Sequence, residues 1–432
     1  MRLTNVAHLR LPFGRLMGYD VSVSRPGNPL PVSFDQRRHV GAGDRAGSWM
    51  ALSFKLREIV PREHLERAWL SVITRHGTLR SVFVRGDGIR SDIGEIELRE
   101  VRVSRGAWVE HPIAPGQAVN DAVREVLDRY CSPFDRPSHR MCVLETADGP
   151  TIVFGADHSH VDLWSMLVIA RDFLAALAAV TEGRDPELSP VPAFAEHTLA
   201  LLRRPAAPDE VRRRWAEIME AGGGAMPAFP LPLGEPGPQA ERVEVRDVFD
   251  VESSTQFETA ARTAEVSTLS LAVSAMTAVT REMAAAPLRA IFPVHSRYEK
   301  AWHDSVGWFI TNSVLESPDP APTACAEAVK EAVRIGSWPL APLLAPWGGM
   351  PESPGMFAIS WLDLRRLPVR IDAVRLEAQY VGATIRTDGV MLWFVFDEQG
   401  LHLRCRYPDT LDARRSVGGW LDALVHRMRA ET

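Results

Sequence analysis

The residues best suited to chemistry occupy six consecutive positions: Asp157, His158, Ser159, His160, Val161 and Asp162. A β-branched apolar run, Thr151 to Phe154, ends just before them. A helical repeat of apolar residues (Leu163, Met166, Leu167, Ile169, Ala170, Phe173, Leu174, Leu177) begins just after. Polar side chains therefore sit where a buried strand hands over to a helix, on a short connection between rigid elements, a common place for a site. Three readings of this stretch are open. His158 can act as a general base, since a neutral imidazole accepts a proton near pH 7, with Asp162 fixing the loop. His158, His160 and Asp162 can instead be metal ligands, in the HxHxD spacing of metallo-hydrolases, although Leu163 stands where that pattern needs another His. Or both histidines are ordinary strand-end residues satisfied by backbone carbonyls.

The rest of the chain narrows the classes. Its 432 residues exceed one ordinary core and predict two domains. With 46% hydrophobic and 24% charged residues the composition is globular. A net charge of −6 supplies no basic stripe for nucleic acid. No run approaches the roughly 18 apolar residues of a membrane span, and Met1 to Arg15 lacks the features of a signal peptide. Cys131, Cys142, Cys325 and Cys405 are scattered without CxxC spacing, which predicts reduced thiols and a cytoplasmic location. Neither GxGxxG nor GxxxxGK[ST] follows a strand, so dinucleotide and P-loop readings have no support.

The elements that must position the hexapeptide follow from pattern. An ordered core is expected from Leu30 onward. Strands are expected over Trp49 to Leu56, up to Gly86-Asp87-Gly88, and over Ile96 to Val103. Helices are expected over Pro61 to Thr74, where Leu65, Ala68, Trp69, Val72 and Ile73 form an apolar stripe, and over Gln117 to Tyr130. Asp148-Gly149 between Met141–Leu144 and Thr151–Phe154 predicts a hairpin. Prolines crowd residues 186–240, read as a crossover with short helices near Phe194 and Glu210. Beyond it, strands are expected at Arg242 to Phe249, Leu288 to Val294 and Met356 to Trp361. A second hairpin surrounds Asp397 to Gly400, and a helix closes the chain. The predicted division is 1–185, 186–240 and 241–432, with α/β sandwiches in the two halves.

Several stretches fall in the order used by one superfamily. Leu30 to Gln36 (LPVSFDQ) looks like an opening motif, and Arg75-His76 through Phe83 looks like an RHxxLRTxF segment. Phe134-Asp135 with Arg140 resembles the segment before a catalytic motif. Asp157 to Ser165 resembles HHxxxDG, and Pro293-Val294, Arg297, Val306 to Phe309 and Asn312 resemble its P-V-x-x-R and V-G-x-F-x-N-T pair. Tyr407-Pro408-Asp409 completes the series. On these residues the chain resembles the condensation-domain and chloramphenicol-acetyltransferase-like acyltransferases. Ser360 to Pro368 is similar to free-standing polyketide-associated acyltransferases of actinobacteria. Asp157 replaces the motif's first His and Leu163 its Gly.

The resemblance implies two αβ sandwich lobes in a V-shaped pseudo-dimer with a central tunnel. It implies transfer of an acyl group from a thioester, on a carrier protein's phosphopantetheine or on coenzyme A, to a hydroxyl or amine. No bound cofactor and no metal are implied. His158 would be the base, in direct transfer without an acyl-enzyme. Asp162 would pair with a buried cation, Arg80 or Arg297, because a buried carboxylate without one is costly. Asp157, His160, Trp308, Asn312 and Ser313 would line the tunnel or stabilise an oxyanion. Carrier protein or acyl-coenzyme A and a small alcohol or amine are the expected partners of a monomer. A catalytically quiet carrier-binding protein, suggested by Leu163, is the alternative in another class, ahead of the metallo-hydrolase.

Overall fold

The computed structural model describes residues 1–85, 96–134 and 136–431. The expected strand end at Gly86-Asp87-Gly88, and Asp135 of the Phe134-Asp135 motif, lie outside them. The described residues form two compact units. The first comprises Met1–Arg203, Arg297–Phe309 and Leu367–Thr384; the second comprises Arg204–Ser296, Ile310–Arg366 and Ile385–Thr432. The units are therefore discontinuous in sequence, whereas contiguous lobes were expected on either side of residues 186–240. Two segments from the second half of the chain are built into the first unit.

Strands β1 (Arg2–Asn5), β2 (Arg15–Val23), β4 (Trp49–Lys55), β7 (Val103–Glu110), β8 (His139–Glu145), β9 (Thr151–Asp157) and β14 (Gln379–Gly382) make the main sheet of the first unit. Their spatial order is β1-β14-β4-β9-β8-β2-β7. All neighbours are antiparallel except β1 and β14. A small sheet pairs β3 (Pro29–Leu30), β6 (Ile96–Glu100) and β5 (Ser81–Arg85). Helix α1 (Phe34–Gly41) precedes β4. Helices α2 (Arg62–Arg75) and α4 (Leu163–Thr181) pack together over the sheet. There Trp69 stacks on Phe154 at 4.6 Å and Phe173 meets Phe154 edge-on at 4.9 Å. Side chains alternate along a strand, so Gly155 faces the other way. A Cβ there would lie 2.4 Å from Leu127 of α3 (Val119–Tyr130), and glycine is what lets that helix lie against β9. Helix α5 (Phe194–Leu202) completes the unit.

Helix α4 has the length and composition of a membrane span, contrary to the expectation that no stretch would. Most of its residues are buried against the sheet and α2, which makes it a core helix. Its polar pair is neutralised in place. Asp172 accepts from Arg75 at 2.5 Å, from His76 at 2.8 Å and from Arg171 at 2.8 Å, and these partners hold its pKa down against the opposing effect of burial.

The second unit carries β10 (Gln239–Phe249), β11 (Leu288–His295), β12 (Ile310–Ser317), β13 (Phe357–Asp363), β15 (Arg386–Thr387), β16 (Val390–Asp397) and β17 (Gly400–Pro408). The order is β12-β11-β13-β16-β17-β10-β15. The β11–β13 and β13–β16 neighbours are parallel, and the predicted hairpin joins β16 to β17. Helices α6 (Asp209–Ala221), α7 (Val251–Thr263), α8 (Thr268–Ala284), α9 (Pro322–Gly336), α10 (Leu340–Leu344) and α11 (Leu411–Ala430) belong to this unit. Its core joins Phe257, Met276, Phe292, Phe357, Phe394, Tyr407 and Trp420.

Pattern reading erred where periodicity is weak. Order begins at Arg2, well before Leu30. The segment taken as one strand from Ile96 to Val103 is two strands, β6 and β7. Residues 306–309 form an irregular segment of the first unit, and β12 begins at Ile310 in the second.

Candidate active site

Strand β9 is buried throughout, and the chain turns at its end. The His160 amide donates to the Asp157 carbonyl at 3.0 Å, so the residues after Asp157 form a turn and strand alternation stops. His158 and His160 consequently go to different surroundings. His160 is fully buried and stacks on Phe83, ring centroids 5.4 Å apart, and Nε2 has no partner among the described residues. Burial pushes its pKa down to about 4. The expectation that His160 lines a substrate channel or oxyanion site is corrected: it is a core ring. Among the described residues, no group of three or more His, Cys, Asp and Glu side chains is arranged to hold a metal ion.

His158 is half-buried. Its Nδ1 lies 2.9 Å from the Val161 carbonyl oxygen. A carbonyl can only accept, so Nδ1 carries the hydrogen and Nε2 keeps its lone pair. Nε2 has no hydrogen-bond partner among the described residues. Desolvation lowers the pKa, as does the neighbouring His39, against the opposing pull of the Val161 carbonyl and Asp157. The ring is therefore neutral at pH 7, in the tautomer that can accept a proton. Trp308 stacks on it with centroids 4.3 Å apart and planes 24° from parallel.

Trp308 is held there through its neighbours. Asp162 caps α4, accepting from the Ser165 amide at 2.6 Å and from the Phe309 amide at 3.0 Å. Ser165 Oγ donates to the Gly307 carbonyl at 2.8 Å and accepts from the Gly307 amide at 3.0 Å. The residues on both sides of Trp308 are thus bonded to the first turn of α4. A side chain at Gly307 would meet Phe194 at 2.4 Å, so glycine is required for this close approach. Arg297 ties the assembly together. Its Nη2 donates to Asp162 at 3.1 Å and to Ser165 Oγ at 2.8 Å, and its Nη1 donates to the carbonyls of Trp302 at 2.7 Å and Ser305 at 2.6 Å. The guanidinium lies 3.8 Å from the Phe309 ring centroid, an added cation–π contact.

Of the two expected partners of Asp162, Arg297 is present and Arg80 is not. Arg80 lies 4.0 Å from Glu100, because β5–β6 pairing sets Glu100 opposite the next residue, Ser81. Ser313 is also corrected. It is fully buried in the second unit, and its hydroxyl donates to the Ala332 carbonyl in α9, so it has no hydrogen left for an oxyanion. Asn312 sits opposite Pro293 in the second unit. Leu163, in the motif's Gly position, is the first helical residue of α4. Tyr380 on β14 donates to its carbonyl at 2.9 Å. Helical backbone suits any L residue, so Leu163 introduces no strain.

Asp157 is buried and bound from two sides. It accepts from the Ser159 amide at 2.9 Å and from the Ser159 hydroxyl, and His39 Nε2 stands 3.4 Å away. Burial pushes its pKa up, and these donors outweigh it and hold the pKa below the usual value. Sequence reasoning passed over His39. The signal was present: Ser33 and Gln36 form a capping box, which starts a helix and puts His39 in its last turn.

The condensation-domain family model matches residues 40–333. An acyltransferase named PapA3 from Mycobacterium tuberculosis is 25% identical over 377 residues, 82% of this chain and 77% of the relative. An isonitrile lipopeptide synthase of Mycobacterium tuberculosis is 26% identical over 313 residues, 68% of this chain and 12% of that much longer protein. Among solved structures, the PapA2 acyl transferase superposes with a TM-score of 0.85 at 18% identity, covering 100% of this chain and 99% of its own. The first condensation domain of the CDA synthetase superposes with a TM-score of 0.72 at 14% identity, covering 93% and 97%. These structural likenesses show the fold.

Proposed function

We propose that this chain, which belongs to the condensation-domain family, is an acyltransferase in which His158 is the general base that moves an acyl group from a thioester to a hydroxyl or amine. The observation that carries the reading is the Nδ1 to Val161 carbonyl bond of 2.9 Å, which leaves Nε2 of a neutral ring as a proton acceptor. A thioester is already activated, so the protein's task is alignment of donor with acceptor and removal of one proton. The acceptor's O–H or N–H gives its hydrogen to Nε2 while the heteroatom bonds to the thioester carbon. The C–S bond then breaks, and the departing thiolate takes the proton back from Nε2. Atoms balance without a Ser or Cys nucleophile and without a bound cofactor.

The acyltransferase and lipopeptide-synthase relatives support a place in lipid or natural-product assembly. The donor is proposed as a carrier-protein phosphopantetheine or coenzyme A thioester. The alternative, a catalytically quiet carrier-binding protein, predicts binding of an acylated carrier without product formation. The test is mass spectrometry of the purified protein with acetyl-, octanoyl- and palmitoyl-coenzyme A, each offered with small alcohols and primary amines. Ester or amide product is expected, and His158→Ala should lower its rate by about 10²–10⁴-fold while keeping the melting temperature. Near-normal turnover in that variant contradicts the assignment.

A further inference from the structure

His39 lies beside the reacting centre, and the base mechanism above gives it no task. Helix α1 is tied to the catalytic turn, since Gln36 Nε2 donates to the Ser159 carbonyl at 2.8 Å. At the other end of the helix both nitrogens of His39 are engaged. Nε2 is 3.4 Å from the Asp157 carboxylate, and Arg45 Nη2 is 3.0 Å from Nδ1. A guanidinium only donates and a carboxylate only accepts. Nδ1 is therefore the acceptor and Nε2 carries the hydrogen, the reverse of the tautomer at His158. The ring meets the Trp308 indole edge-on, with centroids 5.3 Å apart and planes at 85°. Its centroid is 6.0 Å from that of His158. Asp157 cannot follow a moving partner, because its own turn holds it through Ser159.

We propose that His39 is a positioning residue for His158: the Arg45–His39–Asp157 chain fixes the edge of Trp308, and the indole face in turn fixes the plane of the catalytic imidazole. The proposal rests on the base assignment of His158. Its physical weight comes from the steep dependence of rate on alignment, where a misplacement of about 1 Å can cost about 10²-fold. The backbone bonds of Gly307 and Phe309 hold Trp308 from either side. Those bonds set where the indole starts, and the imidazole edge sets how far it can swing.

Nitrogen-15 spectra of the full chain labelled at histidine provide the first readout, with ring signals assigned from His39→Ala and His158→Ala. Wild type should show His158 as the Nδ1–H tautomer and His39 as the Nε2–H tautomer. His39→Ala should displace the His158 ring signals. His39→Gln should restore them, because its carboxamide can donate to Asp157 and accept from Arg45. In octanoyl-coenzyme A transfer, His39→Ala should lower kcat about tenfold with KM within about twofold, and the Gln variant should recover most of the loss. Unmoved His158 signals in His39→Ala, or equal kcat losses in the Ala and Gln variants, overturn the proposal. Should His39→Ala fail to fold, Arg45→Ala at an exposed position carries the same spectral test, and unmoved His158 signals there overturn it too. Retained turnover in His158→Ala refutes the base assignment instead. An inactive His158→Ala beside a fully active His39→Ala refutes the positioning role alone.

Discussion

Asp157 and Asp162 stand one residue before and four residues after His158, both almost wholly buried, and they are held by opposite means. Asp162 has a full counter-charge: Arg297, itself 1% exposed, with backbone amides filling its remaining acceptor sites. Among the described residues, Asp157 has no arginine or lysine within ion-pair distance, and it relies on Ser159 and an imidazole at 3.4 Å. The Asp162 side joins distant segments of chain and is built to stay put. The Asp157 side faces the half-buried ring of His39, which lies beside that of His158. The difference separates what holds the site from what operates it.

The comparison is broken most severely at Arg297. Arg297→Ala strands a buried carboxylate and three further hydrogen-bond acceptors, and should cost about 3–5 kcal/mol in chemical denaturation, with transfer lost through unfolding. Arg297→Lys should recover little, since an ammonium cannot fork between Asp162, Ser165 and two carbonyls. Ser165→Ala removes a donor and acceptor shared with Gly307 and should cost about 1–3 kcal/mol, with a larger fractional loss of kcat because Trp308 is released. Trp308→Ala should leave the fold near wild type and slow transfer by at least about tenfold, no less than the loss of His39, which acts through it. Equal stability losses at Asp157→Asn and Asp162→Asn would erase the distinction.

Two pH dependences sharpen it. The His158 pKa is lowered from 6.5, chiefly by desolvation, so the acid limb of kcat/KM should fall below pH 6.5. An acid limb at or above that value contradicts a desolvated base. Buried His139 and His160 have folded pKa values of about 4 against 6.5 when unfolded. Between those values the unfolded chain binds more protons, so stability should decline as pH falls from about 6.5 to about 4. His160→Phe, an aromatic ring with no proton to gain, should flatten part of that slope in melting scans.

The legible part of the molecule was the part with strong local signals. Asp148-Gly149 and Asp397 to Gly400 fixed two hairpins through turn chemistry, and the apolar stripe of α2 appeared at helical spacing. A cationic partner for Asp162 was expected, Arg80 or Arg297, because a buried carboxylate without one is costly. Local pattern could not choose between Arg80 and Arg297, a choice made by the register of β5 on β6. His160 was misplaced because sequence does not show that the chain turns straight after Asp157, which sends the ring into the core. Ser313 looked available because sequence does not show that α9 presents its Ala332 carbonyl there. Strand β14 has four residues and no periodicity, and its pairing with β1 joins segments more than 370 positions apart.

That last pairing has a consequence for how the protein is made. Among the described residues β1 joins the first sheet through β14 alone, and Asp162 meets its counter-charge in Arg297. A nascent chain emerging from the ribosome therefore carries the catalytic turn for well over a hundred residues before its brace is synthesised. The opening strand waits longer still for the partner that admits it to the sheet. Long-range contacts of this kind come late in folding. The turn that carries His158 is thus braced only after both of these later segments have been made.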